Sequence, residues 1–368
     1  MLYLLYAIIA LSVFLLYVMP DSYKSNLFLR FPNSLLNYFI LFIILGSATF
    51  NNDWLAYDRL FSGIDPSYDL LYVFGFKIFN FFGFTFTDFY AFNQSVIYIA
   101  FIFLITRFTS KYILIVVLSI LVLAGPNLSI LLRFYTAFGF FLVSAYYIIV
   151  KKKKVTGYFF LGLAFISHFG VIILAIFFLI YKLINIQKSF RIVFTVAFLI
   201  YVFQNLLFAG LLATGLGSFV IYIEDQSSFI GGIFVSLPYI PWVVVIFRRN
   251  QYLLKNNIDL INDQKYSFLY KLTMFSFFFF IIAIFLQIVL NRYVEPFIII
   301  WSLYLCYSIR FSKTNINKYL LIFKILILLI LSIYLKYFLP ITIIGSSEWL
   351  LHYLEILNSN RYKIFNIL

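Results

Sequence analysis

Charge is what this sequence has least of. Only 11% of its 368 residues are Asp, Glu, Lys or Arg, where a soluble domain carries about 25%. A water-soluble core could not be covered with so few, which excludes a soluble enzyme. A hydrophobic fraction of 64% excludes a disordered chain. Cysteine is nearly absent as well. Cys306 stands alone, so neither a disulfide framework nor a thiolate metal cluster is available. The chain has two histidines, His168 and His352. It shows no His/Cys/Asp/Glu spacing suited to a metal, no phosphate-cradling Gly loop and no Gly-x-Ser-x-Gly. Internal repeats and heptads are missing, as is any stretch able to form a nucleotide-binding domain. No metal and no cofactor are expected.

What is present is a series of apolar runs. A helix needs about 20 apolar residues to cross the hydrocarbon core. Runs of that kind occupy 2–19, 34–50, 89–106, 111–125, 128–150, 191–208, 229–247, 267–290, 295–309 and 318–339. The expected fold is an all-α polytopic membrane protein, one integral domain over 1–368 with about ten transmembrane helices, its partner the lipid bilayer. The run 2–19 has no basic leader and no small-x-small site before Asp21, and is read as a mature helix rather than a signal peptide.

The net charge of +14 could point to nucleic acid, but Lys and Arg also collect on the cytoplasmic side of a bilayer. Placing 20–33, 107–111, 151–154, 182–191, 248–271 and 310–318 inside gathers 19 of the 27 basic residues there with only three acids. The inner face then carries +16, leaving −2 outside or in the membrane, and no nucleic-acid partner is expected.

Two segments do not fit as crossings. Residues 155–181 have Lys151–Lys154 before them and Lys182, Lys188 and Arg191 after them, so both flanks belong inside. Two full spans need about 40 residues, so 155–181 is expected to form a re-entrant hairpin of two half-helices turning near Ser167-His168-Phe169-Gly170. Bare turn backbone at that depth is tolerated where it lines a cavity. A single long tilted helix is the alternative. The second misfit, 66–86 within the outer segment 51–88, reads as an aromatic helix lying in the outer interface with Lys77 snorkelling. The outer tail, 340–368, carries Trp349, Leu350, Tyr353, Leu354 and Leu357 at helical spacing and is expected to form another interfacial helix.

Ionisable groups in or at the ends of spans are expensive, and each is a functional candidate. Arg133, His168 and Arg292 all fall toward the outer side under this topology. A cationic pocket there suits a lipid-linked phosphate or diphosphate, which Arg grips through paired hydrogen bonds. The ordinary readings are snorkelling for the two arginines and helix packing for the histidine. Acids cluster in the first outer loop: Asp53 and Asp58, then Asp65 and Asp69. A carboxylate beside a cationic pocket can act as general base toward a sugar hydroxyl, although Asp69 at a helix start also suits the dipole there. Trp54, Tyr57, Tyr68, Tyr135 and Tyr293 are candidate sugar or substrate contacts, and Glu295 is a further acid able to contact substrate or to pair with Arg292.

In this order the motifs carry a resemblance. Asp53-x-x-x-Tyr57 follows the second span, and the pair Tyr68-Asp69 opens a helix. Arg133-Phe134-Tyr135-Thr136-Ala137 starts a long helix, Lys151–Lys154 leads to Ser167-His168-Phe169-Gly170, and Arg292-Tyr293 precedes a late span. The chain resembles the EpsG/Wzy family of bacterial polysaccharide polymerases, with Asp at a position where that family commonly has Glu and without the Gln that often follows its Arg. The resemblance implies a membrane glycosyltransferase of GT-C type in the bacterial inner membrane, its active site facing the periplasm. Such an enzyme moves a growing glycan from undecaprenyl diphosphate onto the non-reducing end of a lipid-linked repeat unit, toward O-antigen lipopolysaccharide, capsule or exopolysaccharide. It also implies Arg133 and Arg292 on the diphosphate, His168 on the diphosphate or acceptor, and Asp69 or Asp53 as base. A chain-length regulator and a flippase are implied partners. A lipid-linked oligosaccharide flippase or other transporter, and an O-antigen ligase, are the alternatives. A reporter fused after Leu368 is expected to respond on the outer side of the membrane; a cytoplasmic C-terminus would overturn this topology.

Overall fold

The computed structural model describes residues 27–46, 48, 53–64, 69–186, 189–203, 229–256, 260, 262–284 and 289–359. The expected span 2–19 lies outside the described residues, as do Tyr68 and Asp65. Described segments are helical, with no strand among them. They fall into two compact units, Met1–Ile176 with Ile344–Leu368, and Phe177–Ile343.

The first unit runs through α1 (Leu27–Leu41), α2 (Trp54–Phe61), α3 (Leu70–Phe81), α4 (Phe86–Phe108), α5 (Ile113–Leu123), α6 (Gly125–Ile130), α7 (Leu132–Ala145) and α8 (Lys154–Ser167). A boundary helix follows, α9 (Ile172–Ile180). The second unit holds α10 (Ser189–Val202), α11 (Phe229–Ser236), α12 (Ile240–Asn256), α13 (Gln264–Ala283), α14 (Ile298–Ser308), α15 (Asn315–Ile333) and α16 (Leu339–Ile344). The tail forms α17 (Glu348–Asn358).

Among the described residues five helical stretches are long and apolar enough to span a bilayer: Phe86–Phe108, Leu132–Val150, Gln264–Ala283, Arg292–Phe311 and Asn315–Ile343. The expected runs at 34–50 and 111–125 are shorter apolar helices, Phe31–Gly46 and Ile113–Leu123. The run 128–150 is not one helix. Leu131 (φ −84°, ψ 55°) interrupts it, and α7 begins only at Leu132. The run 229–247 also divides, at residues 237–239, where Pro238 and Pro241 withdraw backbone donors from a continuous ladder. The second half then extends to Asn256, carrying Arg248 and Arg249 into helix rather than loop.

Helix starts follow local chemistry. Thr85 and Asp88 form a reciprocal capping box for α4: the Asp88 carboxylate accepts from Thr85 N–H at 3.0 Å, and the Thr85 hydroxyl accepts from Asp88 N–H at 3.4 Å. Asp263 caps α13 by accepting from Tyr266 N–H at 2.9 Å. Between α3 and α4 the sharp turn uses Gly83 at φ 74°, a conformation side chains resist.

Aromatic contacts join α2, α3 and α4. Trp54 meets Phe86 and Tyr90 at 4.8 and 5.1 Å between ring centroids, Phe61 meets Phe76 at 5.4 Å, and Phe76 meets Phe89 at 4.7 Å. The opposite face of α3 leaves Leu70, Phe74, Ile78 and Phe81 exposed, the apolar stripe an interfacial helix needs.

The segment 155–181 breaks at His168, where the sequence predicts a turn. Its first half, α8, packs along α7. Small residues allow this close approach: a Cβ at Gly157 would strike Ile148, Ala164 is fully buried, and Ser144 Oγ donates to Gly157 O at 2.8 Å. The tail helix is likewise more than an interfacial strip. Its Tyr353 donates to Leu121 O at 3.1 Å, and Ile356 is buried.

In the second unit α13 packs on α10 and α14. An ion pair lies deep inside it, Lys336 Nζ to Glu295 Oε1 at 2.8 Å, with 5% and 1% of the side chains exposed. Tyr239 donates to the same carboxylate oxygen. A buried pair like this contributes little net stability, but removing one partner strands a charge at a cost of about 3–5 kcal/mol. Lys336→Met should therefore lower the melting temperature of the detergent-purified protein sharply, and adding Glu295→Gln should recover much of the loss. Equal melting of Lys336→Met and wild type would contradict this.

Candidate active site

Asp69 is the N-cap of α3 (φ −84°, ψ 110°), yet its side chain makes no capping hydrogen bond. An N-cap Asp ordinarily turns to its own helix's N–H groups. Here Oδ2 accepts from Arg133 Nη1 at 2.7 Å and lies 3.5 Å from His168 Nδ1. Three elements meet at one carboxylate: the start of α3, the first turn of α7 and the break after α8.

Each position has a local cause. Because Leu131 ends the preceding helix, Arg133 falls in the first turn of α7. A cation there faces the positive end of the helix dipole, and the Asp69 carboxylate opposes both charges. His168 ends α8 in extended backbone (φ −164°, ψ 117°) before a turn of 3-10 helix over Phe169–Val171. Its ring stands edge-on to Phe134, centroids 5.8 Å apart. The Arg133 guanidinium sits over the Tyr57 ring at 5.7 Å.

The cluster is half open: 31% of the Arg133 side chain, 23% of His168 and 12% of Asp69 remain exposed. Burial works against the charge on Asp69, but His168 and the Arg133 guanidinium outweigh it and hold the carboxyl below the usual carboxylate range. At Tyr57 burial dominates over Arg133 and raises the phenol above its ordinary value, with Asp53 adding to the rise.

A buried polar knot lies one turn further along both helices. The Tyr72 hydroxyl is 3.0 Å from Asn93 Oδ1 and 3.1 Å from the Thr136 hydroxyl, and Thr136 Oγ1 is 3.1 Å from Asn93 Oδ1. Tyr72 stands three residues after Asp69, and Thr136 three after Arg133, so the knot sets the register of α3 against α7 and places carboxylate opposite guanidinium. These neutral residues are not among the sequence-predicted ones. The legible signal was a polar pair, Asn93-Gln94, within an apolar span.

The other predicted residues are distributed as follows. Tyr57 lies buried beneath Arg133, while Trp54 is taken up by the contacts with Phe86 and Tyr90. Asp53 precedes α2 and acts electrostatically on Tyr57 and on His352. Tyr135 is buried within α7. Tyr293 stacks on Phe279 at 5.3 Å, and Arg292 stands in the same turn of the second unit. Glu295, expected as a substrate contact or an Arg292 partner, is buried and held by Lys336 and Tyr239. Among the described residues no group of three or more His, Cys, Asp or Glu stands ready for a metal ion.

The described chain is thus an all-α protein with several membrane-length helices, in which Asp, Arg and His converge from three separate motifs. A sequence model of the EpsG family matches residues 34–351. The chain belongs to the EpsG family, a Wzy-like family of polysaccharide polymerases. No curated protein and no solved structure matches it.

The cluster makes a prediction about acid. A carboxyl whose folded-state pKa is lowered stabilises the fold fully above the ordinary carboxylate range, and that share is lost as pH falls through the lowered value. Asp69→Asn should melt earlier than wild type at pH 7, by an amount equivalent to about 1–3 kcal/mol. The gap should close as the pH drops below about 4. Parallel melting curves at every pH would remove Asp69 from this role.

Proposed function

We propose that this protein is a repeat-unit polymerase that moves a glycan chain from undecaprenyl diphosphate onto the non-reducing end of a lipid-linked unit at the periplasmic face of the inner membrane. The observation that carries the reading is the convergence of Asp69, Arg133 and His168 on one half-open site. In the reaction an acceptor hydroxyl oxygen bonds to the anomeric carbon of the donor chain. The bond from that carbon to the diphosphate oxygen breaks, the lipid diphosphate leaves, and the hydroxyl proton passes to a base.

Arg133 is suited to the leaving group. Its fork is engaged by Asp69 and by the Tyr57 hydroxyl, and the donors that remain of its five can meet phosphate oxygens. Fixed positive charge beside a departing diphosphate is the electrostatic contribution that usually dominates such catalysis. Asp69 is a poor base, because its proton affinity is lowered by its own neighbours. Its part is to fix Arg133 and to face His168 Nδ1, which turns the imidazole so that Nε2 is the nitrogen that takes the acceptor proton. Asp53 is the other base considered. Arg292, in the second unit, enters through the order of motifs alone, as a further candidate for phosphate.

Surface glycans test this in cells. Deleting the gene should leave single repeat units on the surface, whereas loss of all surface glycan would indicate a flippase. Complementation with Arg133→Ala or His168→Ala should fail to restore polymer although the protein is present in the membrane, a loss of about a hundredfold or more. Wild-type-length polymer from either variant would sink the assignment.

A further inference from the structure

The second unit contains a cavity of about 390 Å³ between α12 and α15. It has two rails. One is the stripe Val244, Arg248 and Tyr252 along α12, and the other is Leu320, Lys324 and Ile327 along α15. Arg248 and Lys324 are both exposed, one cation on each rail.

A third cation lies at its base. Arg249 is 8% exposed and is fixed by Ser308 and Ser312, donating to Ser308 O at 2.5 Å, Ser308 Oγ at 3.0 Å and Ser312 Oγ at 2.9 Å. These partners are neutral, so its charge is held but not neutralised. Among the described residues no carboxylate pairs with Arg248, Arg249 or Lys324. Three positive charges around one cavity, with no acid among the described residues to answer them, call for an anion.

The rest of the wall says which kind. The cavity is otherwise mainly Val, Leu and Ile. The helix forming one side belongs to Asn315–Ile343, of which 28% of the apolar window is buried, against 61–89% in the other four candidate spans. Tyr319, Phe323 and Ile330 on it are exposed, an apolar surface suited to bilayer hydrocarbon. A free anion has no use for such a wall, whereas a lipid bearing a phosphate uses both parts. Basic pockets between membrane helices bind anionic headgroups for this reason.

We infer that this groove is a binding site for an anionic glycerophospholipid, its phosphate held by Arg248 and Lys324 over the fixed charge of Arg249, and its acyl chain laid along Leu320 and Ile327. The site is separate from the Asp69–Arg133–His168 cluster and does not depend on the polymerase reading.

The test uses the purified full chain in neutral detergent, titrated with phosphatidylglycerol, phosphatidylcholine or inorganic phosphate and read by native mass spectrometry and melting temperature. Phosphatidylglycerol should bind and raise the melting temperature, and the other two should not. Each basic residue near an anionic lipid is worth about fivefold in binding, so R248Q/K324Q should weaken phosphatidylglycerol binding about 25-fold. R248K/K324R should retain it. Ile327→Trp keeps every cation and fills the slot at an exposed position, so it too should lose the lipid while melting normally in phosphatidylcholine. Equal binding of phosphatidylcholine, an equal response to inorganic phosphate alone, or undiminished phosphatidylglycerol binding by both R248Q/K324Q and Ile327→Trp would overturn the assignment.

Discussion

The ion pair of Asp69 with Arg133 is the contact on which the first unit's arrangement turns. An arginine in the first turn of an apolar helix faces two opposing effects, desolvation and the positive end of the helix dipole. The Asp69 carboxylate at 2.7 Å answers both. That contact requires the start of α3 to meet the start of α7, and the neighbouring features make it so. Tyr72, Asn93 and Thr136 lock the two helices one turn deeper, and the aromatic contacts of Phe61, Phe76 and Phe89 hold α3 on α4. Packing of α8 on α7 then brings the chain break at His168 to the same carboxylate.

The second unit contains an ion pair of opposite character. Lys336 and Glu295 are enclosed, with Tyr239 donating to the same carboxylate oxygen, and a pair so enclosed adds little net stability. The Asp69 pair is different because it is half open, and its arginine and histidine present further donor and acceptor groups outward. In a chain with 11% charged residues, these two cross-helix ion pairs differ sharply in exposure, one half open and one enclosed.

Much of this was legible in the sequence, and the reasons differ by residue. Long apolar runs announce membrane helices because hydropathy is a bulk property, so the spans at 89–106 and 318–339 recur as Phe86–Phe108 and Asn315–Ile343. Breaks are less visible. Leu131 carries no breaker signal, and the division near Pro238 and Pro241 is hidden by the apolar residues around it. Asp69, Arg133 and His168 stood out because charge is rare here and each sat where charge is expensive. Tyr72, Asn93 and Thr136 did not, since neutral polar groups seldom stand out in an apolar run. Lys336 looks in sequence like any lysine near the end of a span, and only the fold shows Glu295 across from it. Trp54 and Tyr135 carry a weak signal for the reverse reason. With 23% aromatic residues, the core absorbs most rings, and a conspicuous one is no evidence of a ligand.

EpsG membership supplies the polymerase class, and in the proposed function Arg133 would meet the leaving phosphate while Asp69 orients His168. In the proposed function Asp69 is required for bond formation because it holds Arg133 and His168 together. The most direct measurement is the single-turnover rate of glycosidic bond formation in vesicles holding a lipid-diphosphate-linked repeat unit, for wild type and Asp69→Asn across pH. Wild type should release one lipid diphosphate per bond formed. Folded Asp69→Asn should be slower by about a hundredfold or more. A rate for Asp69→Asn equal to that of wild type would contradict the account.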